Sequence, residues 1–184
     1  MSTTPPCSPP TATAGTGSRT RVPTRWSTCY QILGGDAFAS RLGAEIRDRQ
    51  GLTYGIYSYF QAGKEPGMFV INMQTAPEDA TKAIASTLRL LQQFRQDGVN
   101  AAEVEGAKRS LIGSYMVELA DPNSLTSTIL MNEVFGLPAS EIRDFVRQID
   151  SVTPAQVNQV AQELLYPDNL VVVTAGPSVS AASR

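Results

Sequence analysis

The stretch that decides the fold is ILGGDAFASRLGAEIRDRQGLTYGIYS, residues 32–58. A helix is expected to end at Gly34 and Gly35, because glycine readily adopts the left-handed conformation that terminates many helices. A second helix is indicated by an apolar stripe at helical spacing, formed by Phe38, Leu42 and Ile46. Gly51 is expected to end this second helix and to turn the chain into a strand.

Two strands are predicted immediately after this turn. Residues 53–61 (TYGIYSYFQ) and 67–74 (GMFVINMQ) are rich in aromatic and β-branched side chains, which favour strands. The segment between them, AGKEP, has the length and the glycine and proline content of a hairpin turn. An antiparallel pair is therefore expected.

The rest of the chain is predicted to be mainly helical, with one late strand. Capping boxes, in which a short polar residue precedes Glu or Gln by three positions, mark helix starts at Thr75, Asn100 and Thr153. Further helices are expected near 123–135, 139–148 and 154–165. The apolar run NLVVVTAG, residues 169–176, is expected to close the domain as a buried strand. The fold class is therefore α+β, a two-layer sandwich with a mainly antiparallel sheet covered by helices on one face.

Composition excludes several classes of function. The 184 residues carry a net charge of −2, and they include no basic stripe that would favour nucleic acid. No segment has the roughly 20 apolar residues of a membrane span. The chain contains no histidine, so histidine catalysis and imidazole zinc motifs are excluded for this polypeptide. Its acidic residues mostly fall between apolar helical positions and are expected on solvated faces. The chain is thus not expected to be catalytic alone.

The composition changes near residue 30. Residues 1–29 are rich in Thr, Ser and Pro and contain both cysteines, Cys7 and Cys29, but no acidic residue. Such a segment has too few apolar side chains to offset its ordering entropy, so it is expected to be a disordered tail. The folded domain is expected over 30–177, with a frayed tail at 178–184. A shifted reading frame or a mistaken start would also explain the unusual first residues.

The stretch quoted first resembles the C-terminal-type, non-catalytic domain of the pitrilysin and insulinase (M16) zinc peptidases, which are related to the mitochondrial processing peptidase subunits. The resemblance rests on the "LGG" turn, the "SRL…E.R" pattern and the "GL.Y" segment. The ending TPAQVNQVAQELLYPDNLVVVTAGP is similar to the final helix and strand of that family, so the resemblance covers about 30–177. Compared with the family, the N-terminal strands are missing, which implies a truncated domain.

The resemblance implies a divided active site. In the family, one half carries an HxxEH zinc motif and the other supplies an arginine and a tyrosine near the scissile bond. The matching residues here are Arg47 and Tyr54, which are expected to bind the peptide substrate. Zinc is expected on a partner half, an HxxEH-bearing subunit or domain, and no cofactor is expected in this chain. The cytoplasm or the periplasm is favoured over an organelle, although the sequence does not fix the compartment.

Other interpretations stay open beside this one. A tyrosine at a strand start often packs at a rim, and an arginine at a helix end often complements the helix dipole. Arg41 and Arg49 are the neighbouring alternatives and are expected to be surface or interface charges. The strand residues Tyr57, Tyr59 and Phe60 could line a substrate chamber, but core packing is favoured for them. A structural, non-proteolytic homologue and an inactive fragment are the alternative functions.

Overall fold

The computed structural model of the chain describes residues 23–36, 38–61 and 68–177. The start of the predicted N-terminal tail, the hairpin turn after residue 61 and the predicted frayed C-terminal tail lie outside these residues. The element order is that of an α+β fold, with one hairpin set among helices.

Within the described ranges, seven helices and two strands follow one another. They are α1 (Thr24–Tyr30), which continues as a π-helical turn over Gln31–Gly35 with a non-helical kink at Gly34, α2 (Gly43–Arg49, also π-helical), β1 (Gly55–Gln61), β2 (Met68–Gln74), α3 (Ala80–Asp97), α4 (Ala101–Ala120), α5 (Pro122–Val134), α6 (Glu141–Asp150) and α7 (Pro154–Leu164). Short 3-10 turns occupy Pro77–Asp79 and Pro167–Asn169.

The first helix begins earlier than the composition predicts. The predicted boundary at Tyr30 falls at the end of α1, and Ser27, Thr28 and Cys29 are all buried. The Thr28 hydroxyl donates to the Thr24 carbonyl oxygen at 2.9 Å, which satisfies this polar group inside the protein. A Ser- and Thr-rich sequence can therefore form a buried helix, although its composition is typical of a disordered segment.

The hairpin gives the sheet two distinct faces. β1 and β2 pair antiparallel, as predicted, with Ile56 opposite Met73 and Ser58 opposite Ile71. Ile56 and Ser58 are buried, whereas the alternating residue Tyr57 points to the exposed face. The helices thus cover one face of the sheet, and the α+β fold class is confirmed.

The main core lies between the inner face of the hairpin and the helices. Its fully buried side chains come from several elements: Leu33, Leu42, Ile46, Ile56, Leu91, Phe94, Val104, Val157 and Val160. A smaller cluster of Tyr115, Phe145 and Ile149 joins α4 to α6. Burying a side chain of this size typically contributes about 1.5 to 3 kcal/mol. The two clusters hold the helical layer together beneath the hairpin.

Two of the three predicted capping boxes are present. Asn100 and Thr153 each accept a hydrogen bond from the backbone of the third helical residue, and the Glu or Gln at that position bonds back. The prediction at Thr75 is wrong. Its hydroxyl instead donates to the Leu52 carbonyl oxygen at 2.6 Å, and the helix is entered through a 3-10 turn without a side-chain cap. A tertiary contact has thus replaced the local cap.

The prediction of a buried strand at 169–176 is also wrong for the described part of the chain. Beyond the 3-10 turn the segment is not paired as a strand, and Val171 and Val173 are 88% and 85% exposed. A strand needs neighbouring backbone groups for its hydrogen bonds, and only β1 and β2 pair among the described residues. The apolar pattern of residues 169–176 indicates that the segment tends to be buried. It does not specify which element of the fold would cover it.

Candidate functional site

Arg47 and Tyr54 lie on either side of a tight turn. The Gly51 N–H donates to the Arg47 carbonyl oxygen at 3.0 Å, and the Leu52 N–H donates to the Ile46 carbonyl oxygen at 3.0 Å. Gly51 has φ +63°, a left-handed conformation that glycine adopts without a side-chain clash. The turn therefore folds the strand entry back onto the last turn of α2.

Tyr54 is held outward by its buried neighbours. Leu52 is buried in the core, and the Thr53 hydroxyl accepts a hydrogen bond from the Gly55 N–H at 3.0 Å and contacts the Gln74 carbonyl oxygen. These contacts fix the backbone on both sides of Tyr54, whose side chain is 99% exposed. A tyrosine that buries none of its ring gains no packing energy, so core packing does not explain this residue.

Arg47 is half-buried and stacked on an exposed aromatic ring. Its guanidinium carbon lies 4.3 Å from the centre of the Phe38 ring, and its Nε lies 3.9 Å from Asp48 Oδ1. Phe38 is 71% exposed, so the predicted apolar stripe is wrong at this position. A cation over a phenyl face is attracted by the ring quadrupole, and this contact restrains the Arg47 side chain.

Asp36 explains why Phe38 faces outward. One carboxylate oxygen, Oδ1, accepts hydrogen bonds from the Phe38 N–H at 2.7 Å and the Ala39 N–H at 2.8 Å. These backbone donors hold the pKa of the Asp36 carboxyl below its usual value. The carboxylate thus fixes the chain just before α2, with Phe38 set beside Arg47.

Chain geometry limits how far apart the backbones of Arg47 and Tyr54 can lie. The Gly51 N–H is bonded to the Arg47 carbonyl, and Tyr54 follows Gly51 by three residues. At no more than about 3.6 Å per residue, the Tyr54 Cα lies within about 11 Å of the Gly51 Cα. A single extended peptide is long enough to contact both side chains.

The neighbouring arginines have different roles. Arg41 donates two hydrogen bonds to the Glu103 carboxylate, at 2.7 and 2.9 Å, and one to the Gly98 carbonyl oxygen at 2.7 Å. The hydrogen bonds from Arg41 lower the pKa of Glu103. Arg41 is therefore a tie between the start of α2 and the start of α4, rather than a free surface charge. Arg49 is largely exposed and pairs with Glu45 at 2.7 Å, as a surface charge would.

The Arg41 and Glu103 pair borders an open cleft of about 390 Å³ between the end of α1 and α4. The Gln31 side chain donates to Ser110 Oγ at 3.1 Å across this region. The charged groups that line the cleft are largely engaged with one another or with the backbone. This cleft is therefore better explained as a packing seam than as a binding site.

The aromatic residues of β1 divide between the two faces. Phe60 packs against Trp26, Tyr30 and Phe69, with ring centres 5.7, 6.0 and 5.1 Å away, as predicted for a core residue. Core packing is the wrong prediction for Tyr57 and Tyr59, which are 48% and 39% exposed. The alternation from Ile56 to Tyr59 is the sequence signal for this division, because successive strand residues face opposite sides.

The described residues do not provide a zinc site. Zinc in proteins is held by thiolate, imidazole and carboxylate groups, and the chain has no histidine. Burial raises the pKa of the Cys29 thiol to about 12, which opposes the thiolate form that binds metals. Across the described ranges, no three His, Cys, Asp or Glu residues are grouped to hold an ion. In the same part of the chain, no helix is both long and apolar enough to cross a membrane.

Comparison with known proteins finds one family model and several relatives that are similar to this chain. Residues 27–111 match the family described as the peptidase M16 inactive domain. A Mycobacterium tuberculosis protein described as an uncharacterized zinc protease is 33% identical over 143 residues, which are 77% of this chain and 32% of that protein. A Helicobacter pylori protein described as a non-peptidase homolog is 28% identical over 127 residues, covering 69% of this chain and 29% of that protein.

A solved structure agrees with these sequence relatives. The crystal structure of a peptidase M16 inactive domain from Pseudomonas fluorescens matches with a TM-score of 0.75 and 34% identity, over 85% of this chain and 37% of that chain. The chain spans about a third of the length of the curated relatives it matches. Over residues 27–111, the chain is similar to the family described as the peptidase M16 inactive domain.

Proposed function

We propose that this chain is the non-catalytic, substrate-binding half of a two-part zinc metalloendopeptidase, with the HxxEH zinc site on another domain or subunit. The observation that carries the proposal is the 99% exposed side chain of Tyr54, which is anchored by buried neighbours and has no packing role. Tyrosine is enriched at interfaces, where its ring packs against a partner and its hydroxyl finds a hydrogen-bond partner. The similarity of residues 27–111 to the peptidase M16 inactive domain supports the same assignment.

In this proposal the Tyr54 hydroxyl donates a hydrogen bond to a substrate carbonyl oxygen at the bond to be cleaved. A phenol is a neutral hydrogen-bond donor. Its hydroxyl keeps its proton and can stabilise the negative charge that develops on that oxygen. One donor of this kind is typically worth about 10² to 10³ in rate. Tyr54 supplies no proton or nucleophile in this scheme, and the bond-breaking groups belong to the partner.

Arg47 positions the substrate. Its planar guanidinium presents a fixed fork of donors that suits a carboxylate or two carbonyl oxygens of a peptide. Stacking on Phe38 at 4.3 Å restrains the guanidinium before substrate binds, so less side-chain entropy is lost on binding. Arg47 is therefore expected to affect substrate affinity more than the rate of the chemical step.

Reconstitution with a partner tests this function. The purified chain is mixed with a candidate HxxEH-bearing M16 subunit, and cleavage of a fluorogenic peptide is followed. Activity should need both polypeptides, and Tyr54→Phe should lower kcat/KM about tenfold or more. Tyr166→Phe is the matched control, because Tyr166 is also exposed, and it should leave the activity unchanged. Arg47→Lys should raise KM, whereas Arg49→Lys should not.

A structural, non-proteolytic role is the second candidate. It is favoured by the Helicobacter pylori relative, which is described as a non-peptidase homolog. Under this alternative, the chain binds its partner but Tyr54→Phe and Arg47→Lys change no measured rate. Cleavage that proceeds equally well without the chain would contradict the substrate-binding proposal.

A further inference from the structure

The exposed face of the hairpin has no charged residue in the pairs whose two side chains are described. Three such cross-strand pairs lie on this face, and directly paired residues share a side of the sheet. They are Gly55 with Gln74, Tyr57 with Asn72, and Tyr59 with Val70. None of these six residues is charged, although acidic and basic residues make up 17% of the chain. The face is therefore suited to an uncharged ligand.

The two tyrosines form the apolar part of this face. The ring centres of Tyr57 and Tyr59 are 6.1 Å apart and the ring planes are inclined by 25°, so the two rings stack and form one aromatic platform. Both rings remain partly exposed, at 48% and 39%. Tyrosine pairs give a large contact area at a small entropic cost, because each side chain has only two rotatable angles.

This platform lies close in the chain to the proposed substrate site. Tyr54 directly precedes β1, and Tyr57 and Tyr59 follow it by three and five residues. At no more than about 3.6 Å per residue, the Cα atoms of Tyr57 and Tyr59 lie within about 11 and 18 Å of the Tyr54 Cα. An extended peptide advances by the same distance per residue. A side chain three to five residues from the carbonyl held by Tyr54 would therefore reach the platform.

We propose that Tyr57 and Tyr59 form a subsite that selects peptides carrying an uncharged aromatic or large aliphatic side chain three to five residues from the scissile bond. The inference rests on the proposed substrate-binding function. An acidic or a basic side chain would lose hydration on this face without meeting an opposite charge, so such peptides are disfavoured. An aromatic ligand ring gains offset or edge contacts with the tyrosine rings.

The test is a direct titration of the full chain with peptides in the absence of any partner. Tyrosine ring signals are followed by NMR up to millimolar peptide. Three peptides share one sequence of otherwise uncharged side chains and differ only at the tested position, which carries Phe, Ala or Glu. The series is repeated with this position three, four and five residues from the centre of the peptide. The Phe peptide should bind about fivefold to tenfold more tightly than the Ala peptide at one spacing, and the Glu peptide more weakly than both.

The variant Tyr57→Ser with Tyr59→Ser should abolish the preference for Phe over Ala. Tyr166→Ser is the matched control, since Tyr166 is 40% exposed on another element, and it should keep the preference. Thermal unfolding of each variant shows whether it is folded. If the double variant is not folded, each single variant is measured in its place. Equal binding of the Phe and Ala peptides, or no shift of the tyrosine signals at millimolar peptide, overturns the proposal.

The outcome is separable from that of the proposed function. Partner-dependent cleavage that is sensitive to Tyr54→Phe, together with equal binding of the Phe and Ala peptides, would refute the subsite alone. A Phe preference that depends on Tyr57 and Tyr59, with no partner-dependent cleavage, would support a peptide-binding face and refute the peptidase role.

Discussion

Arg41→Met removes a guanidinium that joins three elements and keeps most of the apolar stem. The lost contacts are the two-pronged pair with Glu103, the hydrogen bond to the Gly98 carbonyl oxygen, and the stacking over Phe94 at 4.9 Å. The Gly98 backbone is buried, so its carbonyl would lose this donor in a place with limited access to water. The Glu103 carboxylate would also lose its main counter-charge.

The magnitude follows from how far these groups are buried. The Arg41 and Glu103 side chains are 28% and 25% exposed, which places their pair between a surface ion pair and a fully buried one. The pair is therefore assigned about 1 to 2 kcal/mol. The unpaired carbonyl adds about 1 kcal/mol and the lost stacking about 0.5 kcal/mol. A total near 3 kcal/mol corresponds to a fall in Tm of about 6 to 12 °C for a domain of this size.

Thermal unfolding followed by circular dichroism measures this effect. Arg49→Met is the matched control, because Arg49 is largely exposed and makes one ion pair with Glu45. It should change Tm by less than about 2 °C, since surface ion pairs contribute little. If Arg41→Met melts within about 2 °C of the wild type, the interpretation of Arg41 as a structural tie is refuted. If Arg41→Met lowers Tm but Arg41→Lys melts at the wild-type temperature, a positive charge is sufficient at this position and the forked geometry of the guanidinium is not needed.

Three further predictions follow from other contacts. Gly98 has φ +70° and an added Cβ would lie 2.7 Å from the Asn158 side chain, so Gly98→Ala should lower the free energy of unfolding by about 2 kcal/mol or more. Gly113→Ala, in the open interior of α4, should instead raise it by about 0.5 to 1 kcal/mol, and urea unfolding compares the two. Cys29 is buried with a thiol pKa near 12, so mass spectrometry should show its alkylation at neutral pH at least about 100-fold slower in the native protein than in denaturant. The hydrogen bonds from Arg41 lower the folded-state pKa of Glu103, so its stabilising effect is complete above the ordinary pKa of a glutamate and is lost as pH falls through the folded value. The Tm difference between the wild type and Glu103→Gln should therefore shrink between pH 7 and pH 3.

The sequence predicted correctly those structural features that are determined by residues close together in the chain. The hairpin, the caps at Asn100 and Thr153, and the helix end at Gly51 depend on residues that lie close together in the chain, and all are present. Alternation along a strand and capping arise from backbone geometry, which a sequence pattern reports directly.

The features that the sequence did not predict depend on contacts between distant residues. Thr75 bonds the Leu52 carbonyl instead of capping its own helix, and Arg41 reaches Glu103 at a separation of 62 residues. Phe38 occupies an apolar helical position, but Asp36 holds the backbone so that its ring faces solvent beside Arg47. Of the candidate site, the sequence identified the residue types and their spacing. The exposure of Tyr54 and the stacking of Arg47 needed the structure.

Hydrogen exchange in the exposed segment Leu170–Val173 can report whether a neighbouring strand pairs with it. Amide hydrogens that have no strand partner exchange with deuterium quickly, whereas those bonded to a neighbouring strand are protected. Because successive N–H groups of a strand point to opposite edges, protection of Val171 and Val173 without Val172 would mean that one edge is occupied. Protection of Val172 alone would mean that the other edge is occupied. Hydrogen exchange at three consecutive valines can therefore report both when a neighbouring strand arrives and on which side it lies.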